Sequence, residues 1–168
     1  MELLELTNKT KELFGIDDVG KLGDALKANL NNFDVYDQFV ALVDDLDKDW
    51  LQMIYQYYQA DRKEKKQDFT PKCLAEFLSM LVGEAEICVD MCAGSGALTI
   101  QRWTHNRNQK FRLIEIDDAV IPYLLFNLAI RNIQAEVLVG SALDCEWREE
   151  YEVVKGEKYA RVSLKSSI

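Results

Sequence analysis

The amino-acid sequence predicts an α/β fold, a parallel sheet with helical crossovers preceded by a helical segment. Three observations carry that expectation. The first third of the chain repeats its apolar residues at helical spacing, and beyond Gly83 the period changes to short apolar runs. Those runs alternate with helical stretches in the order strand, helix, strand, helix, strand, the pattern of parallel strands joined by right-handed crossovers. Two glycines, Gly94 and Gly96, stand between the first strand and the helix that follows it.

The elements follow in order. Leu3, Leu4 and Leu6 open a helix, and Phe33, Tyr36, Phe39, Val40, Val43 and Leu46 form an apolar stripe at helical spacing. Leu51, Ile54, Tyr55 and Tyr58 form another. These aromatics read as core, because large rings at helical spacing are mostly buried. Between the stripes, Asp44-Asp45-Leu46-Asp47-Lys48-Asp49 suits a turn or an N-cap. Thr70 is placed to cap the next helix, with Pro71 at its first position, Leu74, Phe77, Leu78 and Leu81 on one apolar face, and Gly83 at its end. Ile87-Cys88-Val89 reads as a buried strand, 97–104 as a helix, 111–116 as a second strand, 119–132 as a strong helix with Pro122 in its first turn, and 135–139 as a third strand. Residues 151–162 read as two short strands around the turn Lys155-Gly156-Glu157-Lys158. We place the boundary between a helical segment, 1–66, and an α/β unit, 67–168.

Composition narrows the function classes. No apolar run approaches the roughly 20 residues of a membrane span, and the N-terminus carries acids where a signal peptide needs a basic start. The reading is a cytoplasmic protein with no membrane partner. The formal net charge of −9 argues against avid, non-specific binding of nucleic acid by the isolated chain. The one basic cluster, Asp61-Arg62-Lys63-Glu64-Lys65-Lys66, is either the solvated end of a helix or a patch that touches a phosphate backbone. Four cysteines without a C-x-x-C pair, and a single histidine, His105, argue against a zinc site and weaken any Cys–His nucleophile. The thiols are expected to be reduced and mostly buried.

The glycine loop carries the chemistry. Glycine permits sharp backbone dihedrals and close approach of a ligand, and the helix behind it offers free N–H groups and a positive dipole end. Such a loop holds a phosphate, a carboxylate or an adenosine-containing cofactor. A dinucleotide fingerprint needs a third glycine where Thr99 stands, and a P-loop needs Gly-Lys-Ser/Thr, which is absent. What remains is Asp90 at the strand's end, suited to a cationic amino group, followed by Gly94-Ser95-Gly96. About 20 residues further on, where nucleotide folds place a carboxylate on ribose, stand Glu115 and Asp117, with Glu115 the preferred ribose ligand.

Taken together, Gln67-Asp68-Phe69-Thr70-Pro71, V-D-M-C-A-G-S-G-A-L, I-E-I-D-D and F-N-L-A-I-R-N resemble the adenine-specific N6 DNA methyltransferases, most nearly the modification subunits of type I restriction systems and their phage-borne relatives. The resemblance spans about 67–143. It implies a Rossmann-like, S-adenosylmethionine-dependent methyltransferase fold with a truncated parallel sheet over 67–168. It also implies S-adenosylmethionine as cofactor and DNA, met directly or through a partner subunit, as substrate. Phe69 and Thr70 would lie over the cofactor's methionine end. Asp90 would meet its amino group, Cys92, Gly94 and Gly96 would shape the pocket, Glu115 would bind the ribose, and Ile116 would lie against the adenine.

Two departures from the family pattern stand out. Where the family has an Asp after the third strand, this chain has Ser141 in Gly140-Ser141-Ala142-Leu143, so that Ser141, or Asp144 in its stead, would serve the adenine amine. The family's Asn/Asp-Pro-Pro-Tyr/Phe segment, which grips a flipped adenine, is absent: the two prolines are Pro71 and Pro122, and the segment after Val154 reads K-G-E-K-Y. No catalytic residue is therefore assigned. The expectation is a cofactor-binding protein of DNA modification that depends on a partner for catalysis, or a catalytically silent regulatory or interaction subunit. The exposed edge of a truncated sheet further suggests a homodimer or a partner subunit.

Overall fold

The computed structural model describes residues 2–43, 45–58 and 70–167. Asp44, the basic cluster 61–66, Gln67, Asp68, Phe69 and the 66/67 boundary lie outside the described residues. Four helices come first: α1 (Leu3–Phe14), α2 (Leu22–Ala28), α3 (Phe33–Leu42) and α4 (Trp50–Tyr58). They are followed by α5 (Lys72–Leu81), β1 (Ile87–Asp90), α6 (Ala97–His105), β2 (Lys110–Glu115), α7 (Ile121–Ile130), β3 (Ala135–Ser141), β4 (Glu146–Val154) and β5 (Arg161–Ser167). His105 closes α6 and is exposed.

The sheet is mixed rather than wholly parallel. Its order is β1-β2-β3-β4-β5, with β1, β2 and β3 parallel and β4 and β5 an antiparallel hairpin added beside β3. The hairpin strands are longer than the sequence suggests, and they pair on the β3 side, so among the described residues nothing pairs with the outer edge of β1. Strand residues alternate in burial. Phe111, Ala135, Val153 and Val162 stand in register on the buried face. Arg112, Glu136 and Glu152 stand in register on the other, where Arg112 pairs with Glu136. This is the two-period pattern of a sheet covered on one side.

All ten residues of α7 are buried, as its almost uninterrupted apolar sequence requires. The N-terminal helices pack on it through rings: Phe126 meets Phe14, Tyr36 and Phe39 edge-on at 5.7, 5.1 and 5.4 Å between centroids. The core runs without interruption from Leu6 on α1 to Val162 on β5. The outer edge of β5 is covered from the same layer, because the Asn31 side chain donates to the Val162 carbonyl and accepts from the Val162 N–H, both at 2.8 Å, as a neighbouring strand would.

Four local expectations are corrected. Helix α5 starts at Lys72 with Pro71 as its N-cap and no side-chain cap, so Thr70 does not cap it, and it ends at an extended Val82 rather than at a left-handed Gly83. Its leucine face is turned outward: α5 buries the small residues Ala75 and Ser79, while Leu74, Phe77, Leu78 and Leu81 are exposed. Strand β1 is not buried, since Ile87 and Val89 are about half exposed beside the open edge. The thiols are not mostly buried either, for Cys73, Cys92 and Cys145 are exposed and Cys88 only partly covered. No described helix is long and apolar enough to cross a membrane.

Candidate functional site

Because β1, β2 and β3 run parallel, their C-terminal ends meet on one side of the molecule, where open α/β sheets place their ligands. The structure brings Asp90, Cys92, Gly94, Gly96, Glu115 and Ile116 together there. Asp90 closes β1, and its Oδ1 accepts the Cys92 N–H at 3.1 Å. Gly94 and Gly96 both hold left-handed backbone, with φ of 54° and 101°. At Gly96 a Cβ would also sit 3.1 Å from Leu124 Cδ1, so the turn needs glycine for conformation and for space. Helix α6 starts directly behind, leaving the N–H groups of its first turn without intrahelical acceptors.

Glu115 ends β2, and its carboxylate is nearly enclosed. One oxygen accepts the Gly94 N–H at 2.7 Å, and the other accepts the N–H groups of Ile116 and Asp117, each at 2.8 Å. It is therefore the brace of the glycine loop. A carboxylate has about four acceptor positions, so one remains for a ligand hydroxyl. Ile116 is exposed, and Arg148 on β4 donates to its carbonyl and to Asp118.

Asp90 differs from Glu115 in being incompletely satisfied. Its Oδ2 is buried and has no hydrogen-bond partner. Burial raises its pKa, the Cys92 N–H opposes the rise, and the neighbouring Glu115 charge adds to it. A carboxylate in that condition offers a site to a cation or an ammonium group.

Thr70 stands before α5 and Ser141 closes β3. Thr70 lines a cavity of about 380 Å³ between α4, α5 and the start of α6, together with Gln52, Ala97 and Gln101. Asp90 lines a second cavity, beside β1. Ser141, at the end of β3, donates its hydroxyl to Asp144 at 2.6 Å and accepts the Asp144 N–H, so the two candidates for the adenine amine form one unit.

A buried polar cluster behind the loop was not anticipated from the sequence. Asp49 caps α4 by accepting the Gln52 N–H at 2.9 Å, and it also accepts the Ser95 hydroxyl at 2.6 Å and the Asn127 amide at 2.8 Å. Asn127 further donates to the Ser95 carbonyl, and the buried Arg131 donates to the Asn127 amide oxygen and to the carbonyls of Leu46 and Lys48. Burial raises the Asp49 pKa against the pull of Arg131, and burial lowers Arg131 to about 10, which leaves it cationic at neutral pH. Ser95 is thus turned away from any ligand and ties the loop to the N-terminal helices. The sequence does hold a signal for this: Asn127 and Arg131, four residues apart, are the polar residues of an otherwise apolar helix and its cap.

No group of three or more metal-ligating side chains occurs among the described residues. Compared with models of protein families, with curated proteins and with solved structures, the chain matches none of them.

Proposed function

We propose that the chain binds S-adenosylmethionine over the C-terminal ends of β1, β2 and β3 and serves as the cofactor-holding part of a DNA adenine-N6 methylation system. The observation that carries this reading is Asp90 Oδ2, a buried carboxylate oxygen without a partner at the lip of the glycine loop. A buried acceptor left unmade costs about 1–3 kcal/mol, and the α-ammonium of the cofactor would supply the missing donor. The first turn of α6 suits the cofactor's carboxylate, the free acceptor position of Glu115 suits a ribose hydroxyl, and exposed Ile116 offers an apolar face to adenine. The mixed α/β sheet is compatible with a Rossmann-like architecture. The nucleic-acid substrate and the N6 position rest on the resemblance of the motifs.

A specific observation favours catalysis that depends on a partner, or a regulatory subunit without its own catalysis. Val153 near the end of β4 stands opposite Ala135 at the start of β3. The turn after β4 therefore lies at the N-terminal ends of the parallel strands, where Lys155 donates to the Arg107 carbonyl and to Asn108. Residues of that turn are on the wrong side of the sheet to grip a base beside the methyl donor.

Equilibrium dialysis against methyl-labelled S-adenosylmethionine, with and without unmethylated DNA, tests both parts. Label held by the chain but not passed to DNA is the expected result. Absence of retained label sinks the cofactor reading, and label transferred to DNA by the chain alone overturns the need for a partner.

A further inference from the structure

The two edges of the sheet are treated differently. Asn31 covers the edge of β5, whereas the outer edge of β1 meets nothing among the described residues. An open edge presents a row of unpaired N–H and C=O groups, a template for another strand that proteins ordinarily blunt with charges, prolines or a covering element. Here the edge is apolar. Ile87, Val89 and Met91 are 45 %, 57 % and 61 % exposed on the helix-free side. On the helix side a groove of about 370 Å³ runs beside the strand, with Leu78, Val82 and Leu98 in its wall. The outward leucine face of α5 continues that surface. The groove also holds polar groups that want partners: Thr99 is 2 % exposed, and its hydroxyl and the Arg102 Nε are buried without a hydrogen bond.

We propose that this edge is a docking site for an extended, apolar strand flanked by basic residues, borne by a polypeptide other than these 168 residues. The proposal shares Asp90 with the cofactor reading but stands on the open edge and the groove, and its test is made without S-adenosylmethionine present, so that either can fail alone. A strand laid beside β1 would point alternate side chains into the groove, where they must be apolar, and the others beside Ile87 and Val89 on the uncovered face, where apolar side chains would cover those two residues. Its ends are set by charge. Glu84 and Glu86 precede β1 and Asp90 closes it, and among the described residues Glu86 pairs with Lys110 at 3.7 Å. The same acids argue against a second copy of the chain. Pairing β1 with β1 about a two-fold axis would bring Glu86 of one copy close to Asp90 of the other, between chains of net charge −9 each.

The test uses the full chain and two labelled six-residue peptides, Lys-Val-Ile-Val-Val-Lys and its twin with glutamate at both ends. Fluorescence anisotropy is expected to show saturable binding of the basic peptide and binding about tenfold weaker, or none, of the acidic one. Amide hydrogen exchange over 87–91 should slow when the basic peptide is bound. Val89→Lys, a change on the exposed face that leaves the circular dichroism spectrum unaltered, should weaken the basic peptide about tenfold or more. Equal binding of the two peptides, or no binding of either at about 1 mM, overturns the proposal. So does a concentration-dependent dimer in sedimentation that protects 87–91 without peptide, which would make a second copy the occupant.

Discussion

Asp90 and Glu115 show how two neighbouring acids take different roles from their hydrogen bonds. Glu115 is an acceptor for three main-chain N–H groups, and its charge holds the loop shut before any ligand arrives. Glu115→Gln replaces one accepting oxygen by a donating NH2, so either Gly94 or the Ile116–Asp117 pair loses its acceptor. The substitution should lower stability by about 1–3 kcal/mol without ligand present, measured by urea unfolding; an unchanged midpoint would show that the brace contributes nothing. Asp90 is the reverse case, a carboxylate with one oxygen still to be satisfied. Its pKa is raised, chiefly by burial. An ammonium ligand binds the ionised form, so affinity is full above the raised pKa and is lost as pH falls through it, beginning at a higher pH than an ordinary carboxylate would set. The acid at each of these positions, and the glycines between, could be picked out from the sequence by type and spacing. That Glu115 is mostly engaged by the backbone could not, because side-chain partners depend on how the loop folds back over β2.

At the scale of elements, the glycine loop is held from behind by the N-cap of α4. Asp49 serves as cap, as acceptor for Ser95 and Asn127, and as the buried anion nearest in effect to Arg131. Asp49→Ala removes all three at once and leaves a buried cation without its counter-charge, an expected loss of about 3–5 kcal/mol. Hydrogen exchange over 91–96 should quicken in the same variant, while a loop as well protected as in the parent would separate it from the N-terminal helices. Gly96→Ala should cost about 1–2 kcal/mol for a left-handed residue with a Cβ and should displace Leu124, which thermal unfolding and the Leu124 methyl resonance would register. The aspartate run 44–49 could be read as a turn or cap, and Asp49 at its end is the cap of α4. Its second task could not be read, since Ser95 and Asn127 lie 46 and 78 residues from Asp49. The outward leucine face of α5 escaped for a related reason: periodicity tells that a helix has an apolar face, not whether this chain covers it.

For the whole molecule, one continuous core joins the N-terminal helices to the sheet, so the described elements should unfold in a single cooperative transition. Separate transitions for the helical and α/β parts, seen by calorimetry, would contradict that. The parallel strands and their helices were apparent from the change of period after Gly83. The antiparallel placement of β4 and β5 was not, because alternation over 151–162 says strand without saying which neighbour or direction. That placement bears on the proposed function, since it leaves the C-terminal ends of β1 to β3 clear, takes the segment after β4 to the opposite end, and leaves the outer edge of β1 without a neighbouring strand among the described residues. The ligand proposed for the partnerless oxygen of Asp90 is the ammonium group of S-adenosylmethionine. Isothermal titration of the chain with S-adenosylmethionine, repeated for Asp90→Asn and at pH values lowered stepwise from neutrality into the range of ordinary carboxylates, is the measurement to make. One site per chain is expected, with affinity that falls on acidification in the parent, and with binding at least about tenfold weaker and insensitive to that pH change in the variant. No heat of binding by the parent, or equal affinity and equal pH dependence in both proteins, would contradict it.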